Sequence, residues 1–418
     1  MNALLERIPR VRRIPSTISL GILDQAVLSL SSVVFLVIAA NVYSPGELGV
    51  FTAATLLYQM STVVLRAFSG EVLLVLDRGS ELEAKADARW CVQFSATVSL
   101  MFVPVGVFLL FVGGGISTGV GACLCILPGI AVQDTLRHVL IRDGRISEAF
   151  RLDLMVVGTQ VALLVLVVAA GLPPWAAILA LGVSPTVFGV VRAWRLGGRP
   201  SLHGSKMWRK QSKRFGNTFG FESIWGAFVQ WATLLATIHW GSLADSAAFR
   251  SVIVLFGVTN VVTNFLRSTF LSHVVRQGAL SGRLVVENSI FMFVLIGVTV
   301  GSSLFVLSVI PDRWGSALLG DTWPVASGYL VVGAVARFAA ASESVPGVLL
   351  RALKVTWSAA RVRSAVGIAT IVVAPVSVAV GGVIGGFIGL TCMSLVLVVL
   401  LFCLVGVSLR DKKGRHRR

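Results

Sequence analysis

Apolar residues in this chain neither alternate in the strand manner nor form the one-sided stripe of a soluble helix; they come in long runs separated by short polar or basic breaks. A bilayer core about 30 Å thick takes roughly 20 mainly apolar helical residues per crossing. A window of that length predicts spans at residues 18–40, 48–76, 92–112, 116–132, 154–170 and 175–191 in the first half of the chain. The second half gives 219–240, 249–270, 290–310, 325–341, 365–380 and 383–407, making twelve crossings. The last two come from one stretch interrupted only by Gly381, Gly382, Gly385 and Gly386, too long for a single crossing, which predicts a tight glycine hairpin. Pro104, Pro128, Pro185 and Pro375 are expected to break otherwise regular spans.

Composition agrees and excludes most alternatives. Of 418 residues, 56% are apolar and only 13% charged, and the mean hydropathy is +0.87, whereas soluble domains carry about 25% charged residues. A cytosolic enzyme, a secreted disulfide scaffold and a DNA-binding domain are all excluded. The net charge of +17, from 36 Lys+Arg against 19 Asp+Glu, could suggest a nucleic-acid binder, but the cations sit in short clusters between apolar runs, where membrane topology puts them. The five cysteines (Cys91, Cys123, Cys125, Cys392 and Cys403) fall in or beside apolar runs without metal-ligand spacing, so neither a disulfide nor a metal site is expected. Arg7, Arg10, Arg12 and Arg13 precede the first run as in a signal peptide, but the run is too long and lacks a small-residue cleavage site, so it reads as an uncleaved first span.

Alternate loops differ sharply in charge. One set holds Arg78, Lys85 and Arg89, then Arg137, Arg142, Arg145 and Arg151, the run from Arg192 to Arg214, Arg276 and Arg283, and Arg351, Lys354, Arg361 and Arg363. Both termini belong to it; the opposite set has Arg313 as its one clear cation. The positive-inside bias therefore places both termini and the basic loops in the cytoplasm. The expected organisation is a basic N-terminal segment (1–17), a six-helix bundle (18–191), a basic cytoplasmic linker (192–217), a second six-helix bundle (218–407) and a basic tail (408–418). A faint internal repeat supports two parallel halves: Ser44 to Phe51 and Ser242 to Phe249 each open on Ser, carry an acid and reach a Phe seven residues on.

Charged groups inside a span are costly, so each marks function unless it finds water or a partner. The candidates are Asp24 and Gln25, Arg66 and Glu71, Asp134, Glu222 and His239, Arg250 and Arg267, and Arg337 and Glu343. Four arginines against few acids predict a cavity with a cationic lining, suited to phosphate oxygens. Structural alternatives stand beside this. Arg66 and Glu71 could pair across one turn, Asp24 could sit at headgroup level, Arg250 and Arg267 could snorkel to the interfaces, and His239 with Trp240 fits an aromatic belt. Arg337 is the deepest, with a buried acid such as Glu222 as its rival partner. Asp24, Glu71 and Glu222 are the carboxylates that could carry a coupling cation. No nucleotide motif, nucleophile elbow or acidic pair on a large outer loop is present, which argues against an enzyme and against an ATP-driven pump.

Several segments together resemble bacterial polysaccharide-biosynthesis flippases of the MOP superfamily: Asp24-Gln25, Ser44-Pro-Gly-Glu-Leu-Gly-Val-Phe51, Arg66-Ala-Phe-Ser-Gly-Glu71, Leu318-Leu-Gly-Asp-Thr-Trp323, and Gly381-Gly-Val-Ile-Gly-Gly386 leading into Gly389. The arginine-rich composition adds a GC-rich, actinobacterial flavour. The resemblance implies an all-α protein of two six-helix bundles around a central cavity in the bacterial cytoplasmic membrane. It would move an undecaprenyl-pyrophosphate-linked oligosaccharide by alternating access, with Arg66, Arg250 and Arg337 on the pyrophosphate. Membrane lipids and a glycan polymerase or glycosyltransferase would be its partners, and no cofactor is implied. Much of that family is longer, and the minimal loops here leave the glycan unassigned. A multidrug or small-solute exporter of the same superfamily, or a non-transporting component or glycosyltransferase of a glycan-assembly pathway, are the alternatives.

The charge bias makes a topological prediction. Cysteines introduced near Ser201 should react with an impermeant thiol reagent only from the cytoplasm, and those near Gly114 and Ser316 only from outside; cytoplasmic labelling at position 316 would break the twelve-span arrangement.

Overall fold

The computed structural model describes residues 16–76, 80–266, 282–353 and 355–415, and among them every regular element is helical. The first half comprises α1 (Ser16–Ala40), α2 (Pro45–Val75), α3 (Glu81–Val112), α4 (Gly115–Arg142), α5 (Ile146–Ala169) and α6 (Pro174–Arg195). The second comprises α7 (Leu202–Trp240), α8 (Leu243–Leu255 continuing as Val258–Phe265), α9 (Gly282–Val309), α10 (Leu330–Ala352), and α11 and α12, the two arms of Thr356–Arg415. Short helical segments, Asp312–Leu319, Gly320–Thr322 and Trp323–Ser327, follow α9 and meet α10 at about a right angle. Among the described residues, seven helices are long and apolar enough to span a membrane, or eight if the bent pair at residues 312–352 is counted as one span. Of these, the span at Trp357–Arg410 comprises both arms of the glycine hairpin, and Ala26–Ala40 of α1 is a shorter apolar helix.

Local chemistry explains the breaks. At Gly381 and Gly382 the backbone leaves the helix, and Gly382 sits at φ 58° and ψ −146°, which L side chains avoid. The hairpin was expected there. The prolines were expected to break spans, yet Pro128, Pro185 and Pro375 lie inside continuous helices, and only Pro104 follows an interruption, at Met101–Phe102. Membrane helices tolerate an interior proline because neighbours re-satisfy the freed carbonyl. Other breaks fall at Ser69 in α2, at Phe256–Gly257 in α8 and at Glu343 in α10.

The repeat at Ser44 and Ser242 is a repeated helix cap. Ser44 Oγ accepts from the Glu47 amide while Glu47 Oε2 accepts from the Ser44 amide at 3.0 Å; Ser242 Oγ accepts from the Asp245 amide at 3.0 Å and donates to its carboxylate at 2.8 Å. Each cap starts the second helix of its half, and the two starts meet. A Cβ on Gly49 would lie 2.4 Å from the Leu243 carbonyl oxygen, so glycine is what lets α2 and α8 touch. Nearby, Asn41 Nδ2 donates to the Ala317 carbonyl at 2.9 Å, and Gly320 sits hard against the end of α1. In the same region the Tyr43 hydroxyl donates to the Leu172 carbonyl; burial, then the Glu47 charge, pushes its pKa up to about 12, so it remains a donor. The halves thus close on each other at the end opposite the arginine clusters.

The basic stretch 192–217 is mostly helix. Only residues 196–201 lie outside helices, and α7 starts at Leu202 and runs unbroken to Trp240, packing first on α3 and then on α2, α11 and α12. Trp208, fully buried, donates its indole N–H to the Phe68 carbonyl at 2.9 Å, beside the interruption in α2 at Ser69. Lys206, Arg209, Lys210 and Lys213 occupy its exposed face.

Replacing Gly382 with Ala should lower stability by about 1–2 kcal/mol, because its backbone is left-handed although its surroundings are open. The same change at Gly381, where φ is −126°, should be nearly silent; melting curves of the two detergent-solubilised variants check this.

Candidate functional site

A polar stripe runs down α2. Thr52, Thr55, Gln59, Thr62 and Arg66 recur at alternating spacings of three and four, which puts them on one helical face. The threonine hydroxyls bond back to carbonyls one turn earlier, Thr62 to Tyr58 at 2.8 Å for example, so their outer lone pairs are left facing outward. This face lines a cavity of about 590 Å³. Ser29 and Ser32 of α1, Gln133 of α4, and Asp153 and Gln160 of α5 complete the first half's wall. Gln230 of α7, Arg250, Asn260 and Thr263 of α8 and Arg337 of α10 form the facing wall. The cavity therefore lies between the halves, lined by hydroxyls, amides and guanidinium groups.

All three arginines expected to bind an anion reach this cavity, but their partners differ. Arg66 makes a two-pronged bond to Asp134 of α4, Nε to Oδ2 at 2.9 Å and Nη2 to Oδ1 at 2.7 Å. The expected alternative, Glu71 one turn away, is not its hydrogen-bonding partner; Asp134 is, because the break at Ser69 carries Glu71 onto a separate helical segment. Arg250 does not snorkel: it is 7% exposed, and its Nη2 donates to Oε1 of Gln59 across the cavity. Arg337 donates from Nη2 to Oδ1 of Asn260. The rival pairing with Glu222 is not formed, since Glu222 accepts from Arg363 of α11 instead. Arg250 and Arg337 lie close enough for each to sense the other's like charge. Arg267 and the side chain of Gln25 lie outside what the structure describes.

The carboxylates separate in the same way. Asp24 is buried, 4% exposed, and it accepts from Arg137 of α4. The same guanidinium donates from Nε to Asp153 Oδ2 at 2.5 Å, and Gln133 donates to Asp153 Oδ1 at 2.8 Å. One arginine is thus shared by two buried acids from α1 and α5. The charge pattern predicts a cytoplasmic loop at Arg137; instead α4 continues to Arg142, with Leu136, Val139 and Leu140 burying its last turns. Asp153 was not singled out at all. The signal was present in the absence of Gly or Pro between residues 130 and 142, which lets the helix run on past the apolar window. Glu71 lines the main cavity, whereas Glu222 and Glu343 line a smaller one of about 290 Å³ within the second half, beside Trp225, Arg337 and Arg363. His239 and Trp240 stack edge to face with centroids 5.0 Å apart and Trp240 exposed, as an interfacial pair would. No cluster of metal ligands occurs among the described residues, and their cysteines are free thiols.

No protein-family model matches the chain, and no curated protein does. Solved structures do. An inward-facing multidrug resistance MATE family transporter of the MOP superfamily is similar over 93% of this chain and 96% of its own, with a TM-score of 0.60 at 12% identity. An outward-facing structure of a multidrug resistance MATE family transporter of that superfamily gives 0.55 over 94% of each chain at 12% identity. The eukaryotic MATE transporter AtDTX14 gives 0.55 over 96% and 97% at 13% identity. The architecture is therefore the all-α, two-lobed, twelve-helix fold of these transporters.

The shared arginine yields a stability prediction. Arg137→Ala leaves Asp24 and Asp153 facing each other without their cation and should cost about 3 kcal/mol or more, read as a loss of folded protein in detergent; adding Asp24→Asn and Asp153→Asn should recover most of it.

Proposed function

We propose that this chain is an alternating-access carrier for an amphiphile with an anionic, sugar-bearing head, and specifically a flippase for an undecaprenyl-pyrophosphate-linked oligosaccharide in the bacterial cytoplasmic membrane. One observation carries the reading. Arg250 is almost wholly buried in the inter-lobe cavity, its bonded acceptor is a neutral amide, and the second guanidinium of Arg337 lines the same space. Two guanidinium groups facing one low-dielectric cleft favour an anion there, and a pyrophosphate offers several oxygens for planar, two-pronged bonds. The serine, threonine and glutamine wall of the first lobe suits hydroxyl-rich sugars. Arg66, already held by Asp134, serves on the rim of the anion site as a polarised pair rather than as a free cation.

The transporters of similar fold supply the second support, since inward- and outward-facing forms are both known for that architecture. Those are multidrug transporters, but an organic cation entering this cavity would meet Arg250 and Arg337 with like charge. As for energy coupling, Asp24, Glu71 and Glu222 are the proposed carboxylates: Asp24 accepts from Arg137, Glu222 accepts from Arg363, and Glu71 is the one of the three that lines the main cavity. In this reading both termini face the cytoplasm, and a glycan polymerase or glycosyltransferase works on the same lipid as partner.

Purified protein in proteoliposomes should move a pyrophosphate-linked, fluorescently tagged oligosaccharide lipid between leaflets. Arg250→Gln should cut the rate at least about tenfold, and Arg337→Lys, which keeps charge but loses the fork, should weaken it. Wild-type rates in Arg250→Gln, or export of an organic cation with no flipping of the lipid, would overturn the proposal.

A further inference from the structure

Arg250 and Arg337 are held in opposite ways. Arg337 is bonded within its own lobe, to Asn260 of α8. Arg250 reaches out of its lobe to Gln59 of α2, 191 positions away in sequence, so this bond ties the second lobe to the first through the middle of the cavity. The Gln59 amide is itself oriented, because its Nε2 faces Ser32 Oγ of α1 at 3.4 Å, which turns its oxygen toward the guanidinium. A carboxamide oxygen is a neutral counterpart of a phosphate oxygen. It satisfies a guanidinium N–H without cancelling its charge.

We propose that Gln59 is a latch that stands in for the substrate: in the empty carrier its amide oxygen occupies the position on Arg250 that an anionic oxygen of the substrate takes, so binding breaks a bond between the lobes. This deepens the anion-carrier reading and rests on it. The energetics favour the exchange, since a charge-assisted bond to an anionic oxygen is about twice as strong as one to a neutral acceptor. A neutral or cationic molecule would not displace the amide. A ligand can drive a conformational change only by the difference in its affinity for the two states, and losing Gln59 from Arg250 supplies such a difference at the lobe interface. The latch also lowers apparent affinity by the fraction of time Arg250 is free. Gln59 is thus a positioning residue that exchanges binding strength for coupling.

The test uses the whole protein in lipid nanodiscs, with farnesyl pyrophosphate as probe and spin labels at Leu82 and Trp357, exposed positions that begin α3 in one lobe and α11 in the other. Cys392 and Cys403 are replaced first so that labelling is specific. Gln59→Met keeps the side-chain length but removes the acceptor. It should bind the probe up to about tenfold tighter, as expected if Arg250 is latched about nine-tenths of the time, and its empty-state label distances should match those of the probe-bound wild type. Gln59→Glu keeps the length but adds a charge; it should bind at least about tenfold more weakly and show no distance change with probe. If Arg250→Gln loses binding while Gln59→Met binds and moves as the wild type does, the latch is wrong and the anion site stands. If the wild type itself does not bind the probe, both fall. Should Gln59→Met fail to fold, Ser32→Ala, which removes only the orienting hydroxyl, is expected to shift affinity in the same direction by a smaller factor, and no shift there would overturn the latch.

Discussion

A guanidinium placed within a membrane must be matched by protein or water, because hydrocarbon offers nothing to its five donors. This chain carries several guanidinium groups in or beside its spans, and its helix arrangement follows from how each is matched. Arg137 ties α4 to both α1 and α5 through Asp24 and Asp153. Arg66 ties α2 to α4 through Asp134, and Arg363 ties α11 to α7 through Glu222. Each of these links lies inside one lobe and pairs opposite charges. Together they give each lobe an internal polar frame around which the apolar contacts pack.

The cavity arginines follow a different rule. Arg250 and Arg337 each donate to an amide oxygen, a neutral acceptor. A carboxylate partner makes a link that is costly to break, whereas an amide partner can be exchanged for a stronger acceptor. How firmly a hydrogen bond holds each arginine is therefore set by the chemistry of the acceptor opposite, more than by depth. It also explains why the cavity sits where the lobes face each other: that is where the exchangeable contacts lie.

Close backbone contact does at the opposite end what the polar links do within the lobes. The helix starts at Pro45 and Leu243, each capped by a serine and an acid, touch through Gly49, and Gly320 meets the end of α1. At the arginine-rich end, α7 extends the second lobe across the first, with Trp208 bound to the carbonyl of Phe68 beside the break in α2. Lobe closure and the cavity wall are thus mechanically continuous through α2, which carries Gly49, Gln59, Arg66 and Phe68 along its length.

Most helix positions, the glycine hairpin, the repeated segments at Ser44 and Ser242 and the three arginines that line the cavity were legible in the sequence, since each depends on composition or short-range spacing. The polar stripe of α2 was legible too, at positions three and four apart, but an apolar window averages over it. Partners were not legible. Whether Arg66 meets Glu71 or Asp134, whether Glu222 answers Arg337 or Arg363, and whether Arg137 lies in a loop or between two acids all depend on how distant helices are brought side by side. Hydropathy reports how long a segment can stay in lipid, and charge bias reports which end faces which side. Neither encodes helix rotation, and it is rotation, set by packing between segments over a hundred residues apart, that selected the acceptor opposite each guanidinium.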